Sequence, residues 1–460
     1  MTSGHVAVID IGKTNAKLAL VRLSDLSEVA VVTRPNTVLP GPPYPHFDVE
    51  GHWAFLLEGL ASFHAAHGID AITITTHGAS GALLAKDGSL AAPILDYEHD
   101  GPDASAEAYD AIRPPFSETG SPRLAMGLNL GAQIHWQFAK DPGLRETVAH
   151  VLTYPQFWAH RLTGVVATDV TSLGCHTDLW DPYRGQFSSL PHTLGIADKI
   201  ALPRQPSEIL GPITPEVARR TGLPAHTPVH CGIHDSNASL MAHLGAQTPP
   251  FSVVSSGTWV IAMAVGGKRV TLDPARDTLV NVNAFGDAVP SARFMGGREH
   301  DLMLGGSLQM PSTADMWEVL TQNCMLLPAV VPETGPFAGS QAQWRGHEPL
   351  QGSGQRSAAV AFYLALVTAH CLDLIGHDGA IIVEGPFARN DAYLTMLGVA
   401  AASPVRPMDG ATGTSQGAAL LVSDAGLQQR QMRDFPDPDQ GLREACVSYA
   451  DRWTASLADD

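Results

Sequence analysis

Two aspartates far apart in the chain, Asp10 and Asp235, stand where apolar runs give way to turns, the position from which a strand hands a carboxylate to a ligand. Residues 6–20 read Val-Ala-Val-Ile-Asp-Ile-Gly-Lys-Thr-Asn-Ala-Lys-Leu-Ala-Leu, so a β-rich run reaches Asp10, turns through Gly12 and leaves as a second apolar strand. Gly12, Thr14 and Asn15 make a tight turn whose backbone N–H groups and hydroxyl can face a phosphate. Downstream, residues 227–231 are strand-like, Gly232-Ile-His-Asp235 is a turn, and residues 236–244 have helical spacing with Ser236 as the expected N-cap. Asp235 is therefore expected at a strand-to-helix corner. Glycine turns follow at Gly385 and Gly413. A carboxylate that organises a metal ion, backbone donors around phosphates, and a carboxylate that takes a proton from an attacking hydroxyl are the parts that phosphoryl transfer from ATP requires. Neither Gly-x-x-x-x-Gly-Lys-Ser/Thr nor Gly-x-Gly-x-x-Gly occurs, so this chemistry would rest on a fold other than that of P-loop enzymes or protein kinases.

The elements that must position these groups repeat. Residues 251–265, Phe-Ser-Val-Val-Ser-Ser-Gly-Thr-Trp-Val-Ile-Ala-Met-Ala-Val, again give strand, Gly/Thr turn and strand, which suggests duplicated domains around a cleft. Residues 51–67 have a helical apolar period and residues 71–76 alternate as a strand ending at His77-Gly78. Residues 93–97 read as a strand, and 123–139 and 155–162 as helices. In the second half, 358–375 reads as helix, 379–384 as strand, 391–401 as helix and 415–425 as helix, with a polar stretch at 428–438 and a surface helix in the last twenty residues. The segment 245–250 is the expected domain crossing. The expected domains are 1–245, 246–440 and a tail, 441–460.

Composition narrows the function classes. The 460 residues suit two domains rather than one core. With 28 Lys and Arg against 46 Asp and Glu the formal charge is −18, which argues against nucleic acid or an anionic membrane as partner. The five cysteines are scattered without Cys-x-x-Cys spacing, so neither disulfides nor a zinc site is expected and reduced cytoplasmic thiols are the default. The first strand begins within a few residues of Met1, and no signal peptide is read. Residues 358–375 are long and apolar, but Asp373 interrupts them, and a buried core helix is expected there.

Taken in order, Asp10-Ile-Gly-Lys-Thr14, His77-Gly78-Ala79, Gly232-Ile-His-Asp235, Ser255-Ser-Gly-Thr-Trp259 and Thr412-Gly-Thr-Ser-Gln-Gly-Ala418 resemble the FGGY carbohydrate kinases over nearly the whole chain. The resemblance implies an α/β fold of two duplicated ribonuclease-H-like (actin-like ATPase) domains flanking a central cleft. It implies Mg²⁺ and ATP, a small-molecule sugar as acceptor, and a monomer or homodimer. Carried onto this sequence, it makes Asp235 the general base on the sugar hydroxyl and Asp10 a ligand of Mg²⁺. Gly12, Lys13, Thr14, Asn15 and Lys17 would lie at the phosphates, Gly257 and Thr258 at the transferring phosphoryl group, and Gly385, Asn390 and Gly413 at the nucleotide.

His77 and Gly78 match a His-Gly pair of xylulose kinases, and Asp96, Glu98 and His99 occupy a stretch that in the family often carries Asp-x-Arg. The arginine is missing, and Gly101 stands close to its place. Glu98 and His99 can supply an acceptor and a donor to sugar hydroxyls. Pro386 and Phe387 replace the family's usual run of glycines after the strand. The Ser-Ser-Gly-Thr-Trp tip, Asn281-Val-Asn283 and Arg293-Phe-Met-Gly-Gly297 look most like kinases of 6-deoxy-ketohexoses such as L-rhamnulose and L-fuculose, with pentuloses as runners-up. Trp259 itself is expected in the core behind its hairpin. Gly413-Thr-Ser-Gln-Gly417 also satisfies Gly-x-Ser-x-Gly, but no apolar strand precedes it and no histidine follows His377, which argues against a serine hydrolase. A non-catalytic sugar or nucleotide sensor of the same fold is the remaining rival.

Overall fold

The first strand, His5–Ile11 (β1), is buried on both sides, and its alternation decides what each face meets. Ala7, Ile9 and Ile11 enter a core shared with the helices Val49–His67 and Tyr154–Thr163. Val6 and Val8 enter a second core with Ala238 and Met241 of the helix Asp235–Leu244, and with Ala418 and Ala419 of the helix Thr414–Ala419. Asp10 shares the face of Val6 and Val8, so the strand period points it at those two helices. The structure, a computed structural model, describes residues 4–306, 309–408, 413–422 and 434–457.

Among the described residues the chain forms two compact units, one of residues 1–246, 280–288 and 412–428, the other of residues 247–279, 289–411 and 429–460. In the first unit β1 pairs antiparallel with Asn15–Arg22 (β2), which pairs antiparallel with Glu28–Pro35 (β3). On its other side β1 runs parallel to Ala71–Thr76 (β4), with Asp10 opposite Thr75. Ile209–Pro212 (β5) lies at the edge against Pro228–His230 (β6), and β6 and Ile233–His234 (β7) both run parallel to β4, with His234 opposite Thr76. Three parallel strands, β1, β4 and β7, therefore deliver Asp10, His77 and Asp235 at one edge of the sheet.

The second unit repeats this plan. Phe251–Ser256 pairs antiparallel with Val260–Val265 and parallel with Ala380–Glu384, which runs parallel to Val405–Pro407. Val260–Val265 pairs in turn with Ala288–Phe294. Three antiparallel strands followed by two parallel ones, with a long helix before the first parallel crossover, is the order of both sheets, so the duplication expected from the two hairpins is present. The helix before that crossover, Gly354–Leu374, is the one helix among the described residues long and apolar enough to cross a membrane, and 78% of its apolar window is buried in this core.

Several local expectations are corrected. Residues 93–97 form no strand, only an isolated bridge between His46 and Leu95. The helix expected over 123–139 is Leu130–Lys140, because Met126 takes a positive φ of 57° and Asn129 uses its side chain on the preceding loop, accepting from the Leu124 N–H at 2.8 Å. The helix expected to be capped by Ser236 starts at Asp235. The final helix, Gln440–Ser456, is not a bare surface helix, because Leu442, Cys446, Tyr449 and Trp453 insert into the second unit's core. Of the helix expected over 415–425, residues 414–422 are helical and 423–425 lie outside the described residues, as do Thr412 and residues 428–433 of the polar stretch. All five cysteines are free.

Candidate active site

The turn after β1 is closed by its own backbone, the Gly12 N–H donating to the Asn15 carbonyl at 2.9 Å. That N–H is spent on the turn rather than left for a ligand, while Thr14 and Asn15 are exposed at the tip. Asn36 holds the turn from behind. Its backbone N–H donates to the Thr14 carbonyl and its side-chain Nδ2 to the Gly12 carbonyl, each at 2.8 Å. Its Oδ1 in turn accepts from His52 Nε2 at 2.8 Å, and Arg34 Nη1, itself paired with Asp48, donates to His52 Nδ1 at 3.0 Å. These partners fix His52 as the neutral Nε2–H tautomer. Burial, aided by the Arg34 charge, holds its pKa at about 4.

Asp10 lies behind the turn with its carboxylate accepting from the Thr414 hydroxyl, and from Ser415 Oγ at 3.4 Å. Burial raises its pKa, opposed by the Thr414 hydrogen bond and the Lys17 charge, while the charge of Asp235 adds to the rise. The two aspartates are thus electrostatic neighbours within one unit. Lys17 sits opposite Asp10 in the β1–β2 register, and its ammonium donates to Glu28 at 2.8 Å. Gly417 has a packing duty, since a Cβ there would lie 1.8 Å from the Ala238 carbonyl, and only glycine lets this helix meet the Asp235 helix. The Gly-x-Ser-x-Gly pattern is accounted for by that approach and by Ser415 facing Asp10.

Asp235 opens its helix with a side chain 30% exposed, so a substrate hydroxyl can reach it. Its Oδ1 accepts from the Ser236 N–H at 2.6 Å and lies 3.0 Å from His234 Nε2. Burial pushes the carboxyl upward, but the His234 charge and the hydrogen bonds from His234 and the Ser236 N–H outweigh it and hold Asp235 below the ordinary value. Burial pulls His234 down, yet the charges of Cys175 and Asp235 leave it well above its ordinary value, with the Cys175 sulfur 3.8 Å from Nε2. A side chain at Gly78 would meet His234 Nε2 at 2.8 Å, so that position keeps room for the imidazole.

His77 follows β4 and packs its ring against Phe47, Tyr97 and Tyr154 at centroid distances of 5.1, 5.2 and 5.0 Å. Nδ1 donates to the Gly78 carbonyl at 2.9 Å, which leaves Nε2 an acceptor, buried and without a partner. Burial holds its pKa at about 4. Lys13, expected at the phosphates, instead bonds Asp96 and lies 3.1 Å from Glu98 Oε2. His99 packs its ring on Trp136 at 5.2 Å, with Nδ1 3.5 Å from Asp100.

In the second unit Gly257 and Thr258 form an exposed hairpin tip, the Gly257 N–H donating to the Trp259 carbonyl at 2.8 Å. Trp259 is not in the core; it is half-buried with the Arg293 guanidinium 4.9 Å above its ring. Gly385 takes φ 81°, and a Cβ there would lie 1.9 Å from the Ser256 carbonyl. Asn390 caps the helix Asp391–Ala400, its Oδ1 accepting from the Tyr393 N–H at 3.1 Å, so the amide nitrogen is what it has left for a ligand. Gly413 belongs with the first unit, one residue before Thr414.

No group of three or more His, Cys, Asp or Glu side chains among the described residues makes a metal cage. Asp10 with the Thr414 and Ser415 hydroxyls offers oxygen donors only, a set that fits a magnesium ion carried on a triphosphate and keeping its own waters. Sequence reasoning placed Asp10, His77 and Asp235 but passed over Asn36, His52, Tyr97, Thr414 and Ser415. Thr414 and Ser415 lay inside a quoted motif, whereas Asn36 and His52 had no local signal.

Residues 5–242 match the FGGY family of carbohydrate kinases, N-terminal domain, and residues 248–431 match carbohydrate kinase FGGY, C-terminal domain. The chain is 26% identical to an L-fuculokinase of Salmonella typhi over 398 residues, covering 83% of this chain and 82% of that protein. A crystal structure of a carbohydrate kinase from Novosphingobium aromaticivorans superposes with a TM-score of 0.91 at 36% identity, covering 100% of this chain and 99% of that one. A xylulose kinase from Rhodospirillum rubrum shares the fold, with a TM-score of 0.76 at 20% identity over 99% and 98% of the two chains.

Proposed function

Because the chain belongs to the FGGY family of carbohydrate kinases, whose sugar kinases use ATP, we propose that it transfers the γ-phosphoryl group of ATP to a hydroxyl of a small ketose, a 6-deoxy-ketohexose such as L-rhamnulose or L-fuculose. The observation that carries this reading is the placement of Asp235: ionised, open to a substrate, and beside both Asp10 and His77 at one sheet edge. Asp235 takes the proton from the acceptor hydroxyl as its oxygen forms a bond to the γ-phosphorus, and the bond from that phosphorus to the bridging oxygen breaks to release ADP. Its lowered pKa keeps the carboxylate ready at neutral pH. His77 Nε2, an acceptor with no partner, receives a sugar hydroxyl, with Gly78, Glu98 and His99 lining the same side.

Asp10, supported by Thr414, would hold the magnesium ion. That ion, when bound, offsets charge on the phosphate oxygens. Gly12, whose own N–H and carbonyl are engaged, shapes the turn that offers Thr14 and Asn15 to the β- and γ-phosphates, with Lys17 nearby. On the second unit Gly257 and Thr258 are assigned to the transferring group, and Gly385 and Asn390, with Gly413, to the nucleotide. The L-fuculokinase likeness supports a 6-deoxy-ketohexose, while the His77-Gly78 pair favours a pentulose of the xylulose or ribulose type as the second reading.

Turnover decides between them. ATP-dependent ADP release across a panel of ketohexoses, 6-deoxy-ketohexoses and pentuloses is expected to single out one class, and Asp235→Asn is expected to lower it by about 10²–10⁴. Sugar binding without ADP release in the unaltered protein would instead make this chain a sensor.

A further inference from the structure

Lys13 stands between Gly12 and Thr14, in the turn assigned to phosphates, yet its ammonium is engaged elsewhere. It bonds Asp96, lies 3.1 Å from Glu98 Oε2, and sits over the ring faces of Tyr97 and Phe47 at 4.8 and 5.4 Å. Those are two of the three rings that pack against His77, whose buried Nε2 has no partner. Lys13 and Asp235 both act on His77: the Lys13 charge disfavours its protonation, and the Asp235 charge favours it.

We propose that Lys13 is a specificity-determining residue of the acceptor site, tying Asp96 and Glu98 into a charge-compensated group that takes the hydroxyls of a neutral sugar, rather than a ligand of the nucleotide phosphates. This rests on the reading that His77 and Asp235 receive the sugar. Asp96 and Glu98 sit two residues apart beside a third carboxylate, Asp235, and without a cation they would repel one another. With Lys13 between them, the carboxylates keep lone pairs and the ammonium keeps one of its three donors, so acceptors and a donor are presented together, the complement of adjacent hydroxyls. The group keeps a net charge of −1 next to Asp235, which rejects an acceptor bearing its own carboxylate. The cation lies on two aromatic faces, an arrangement that orders the long side chain.

The test is a split of Michaelis constants in the full-length protein, using the neutral sugar it turns over fastest. Lys13→Met keeps the stem over the rings and removes the charge; it is expected to raise the sugar KM by about tenfold or more, equal to about 1.4 kcal/mol, while the ATP KM stays within about threefold. Glu98→Gln, at a side chain 56% exposed and so safe for folding, is expected to move the sugar KM in the same direction. Lys13→Arg is expected to restore most of the sugar affinity.

A rise in the ATP KM of Lys13→Met equal to or larger than the rise in the sugar KM overturns the proposal, as does wild-type turnover of an aldonate matching that of the neutral sugar. Wild-type protein that turns over no neutral sugar overturns the acceptor-site reading on which this one rests, and that failure is separable because it is read before any variant is made.

Discussion

Asn36 is the sharpest place to perturb the phosphate turn without touching it. The residue is 8% exposed, and its side chain links the Gly12 carbonyl to His52, which is fully buried. Asn36→Ala removes the bond to Gly12 and strands the His52 N–H in a site that water does not reach. A buried donor left without an acceptor costs about 1–3 kcal/mol and the lost bond adds about 1, so unfolding free energy should fall by about 2–4 kcal/mol. Urea unfolding followed by tryptophan fluorescence suits the measurement, because the Trp158 ring lies 6.2 Å from that of His52. A double-mutant cycle with His52→Ala should return a coupling of about 1–2 kcal/mol. In the kinetics, a loosened turn should raise the ATP KM by about tenfold while the sugar KM holds. The relay also sets a pH window. The folded pKa of His52 is about 4 against an ordinary 6.5, so the unfolded chain takes up the proton first. The stability tied to neutral His52 is complete above pH 6.5 and is lost as pH falls toward 4, by roughly 3 kcal/mol, a share of the acid dependence that His52→Ala should remove while His77, also held at about 4, keeps its own. Single effects that add to within about 0.3–0.5 kcal/mol, together with an unmoved ATP KM, would refute the relay.

Three further outcomes follow from the site. Asp235→Asn should lower kcat by about 10²–10⁴ while retaining sugar binding, measured by coupled ADP release and by calorimetry. Thr414→Val removes the hydroxyl that holds the Asp10 pKa down, so the acid limb of the kcat–pH profile should move to higher pH. Gly417→Ala places a methyl 1.8 Å from the Ala238 carbonyl and should destabilise the protein by about 1–3 kcal/mol in chemical unfolding, pushing the Asp235 helix off its seat.

How far the sequence could be read depended on whether a signal was local. Both hairpins were legible because strand alternation and Gly/Thr turns are short-range, and their recurrence foretold two sheets of one plan. Asp10 and Asp235 were legible because each ends an apolar run. Residues 93–97 looked like a strand for the same reason, but there the apolar side chains Ile94 and Leu95 pack inward from a loop that meets the two-residue strand His46–Phe47 at a single bridge. Trp259 was misplaced because its partner, Arg293, comes from another strand and holds the ring at the tip. The Lys13 contacts were invisible for a like reason: their partners lie near residues 47 and 97 in the chain. Asn36 and His52 act through a chain of hydrogen bonds across three segments, which no spacing rule encodes.

The helix beginning at Thr414 contacts an aspartate 404 positions earlier, and its neighbours cover Val6 and Val8. During synthesis, the opening sheet therefore waits on the ribosome for almost the entire message before that face is sealed. A polypeptide released before codon 414 lacks the hydroxyl that steadies Asp10 and exposes apolar β1 side chains. The seal on that face is thus among the last contacts the growing chain can make.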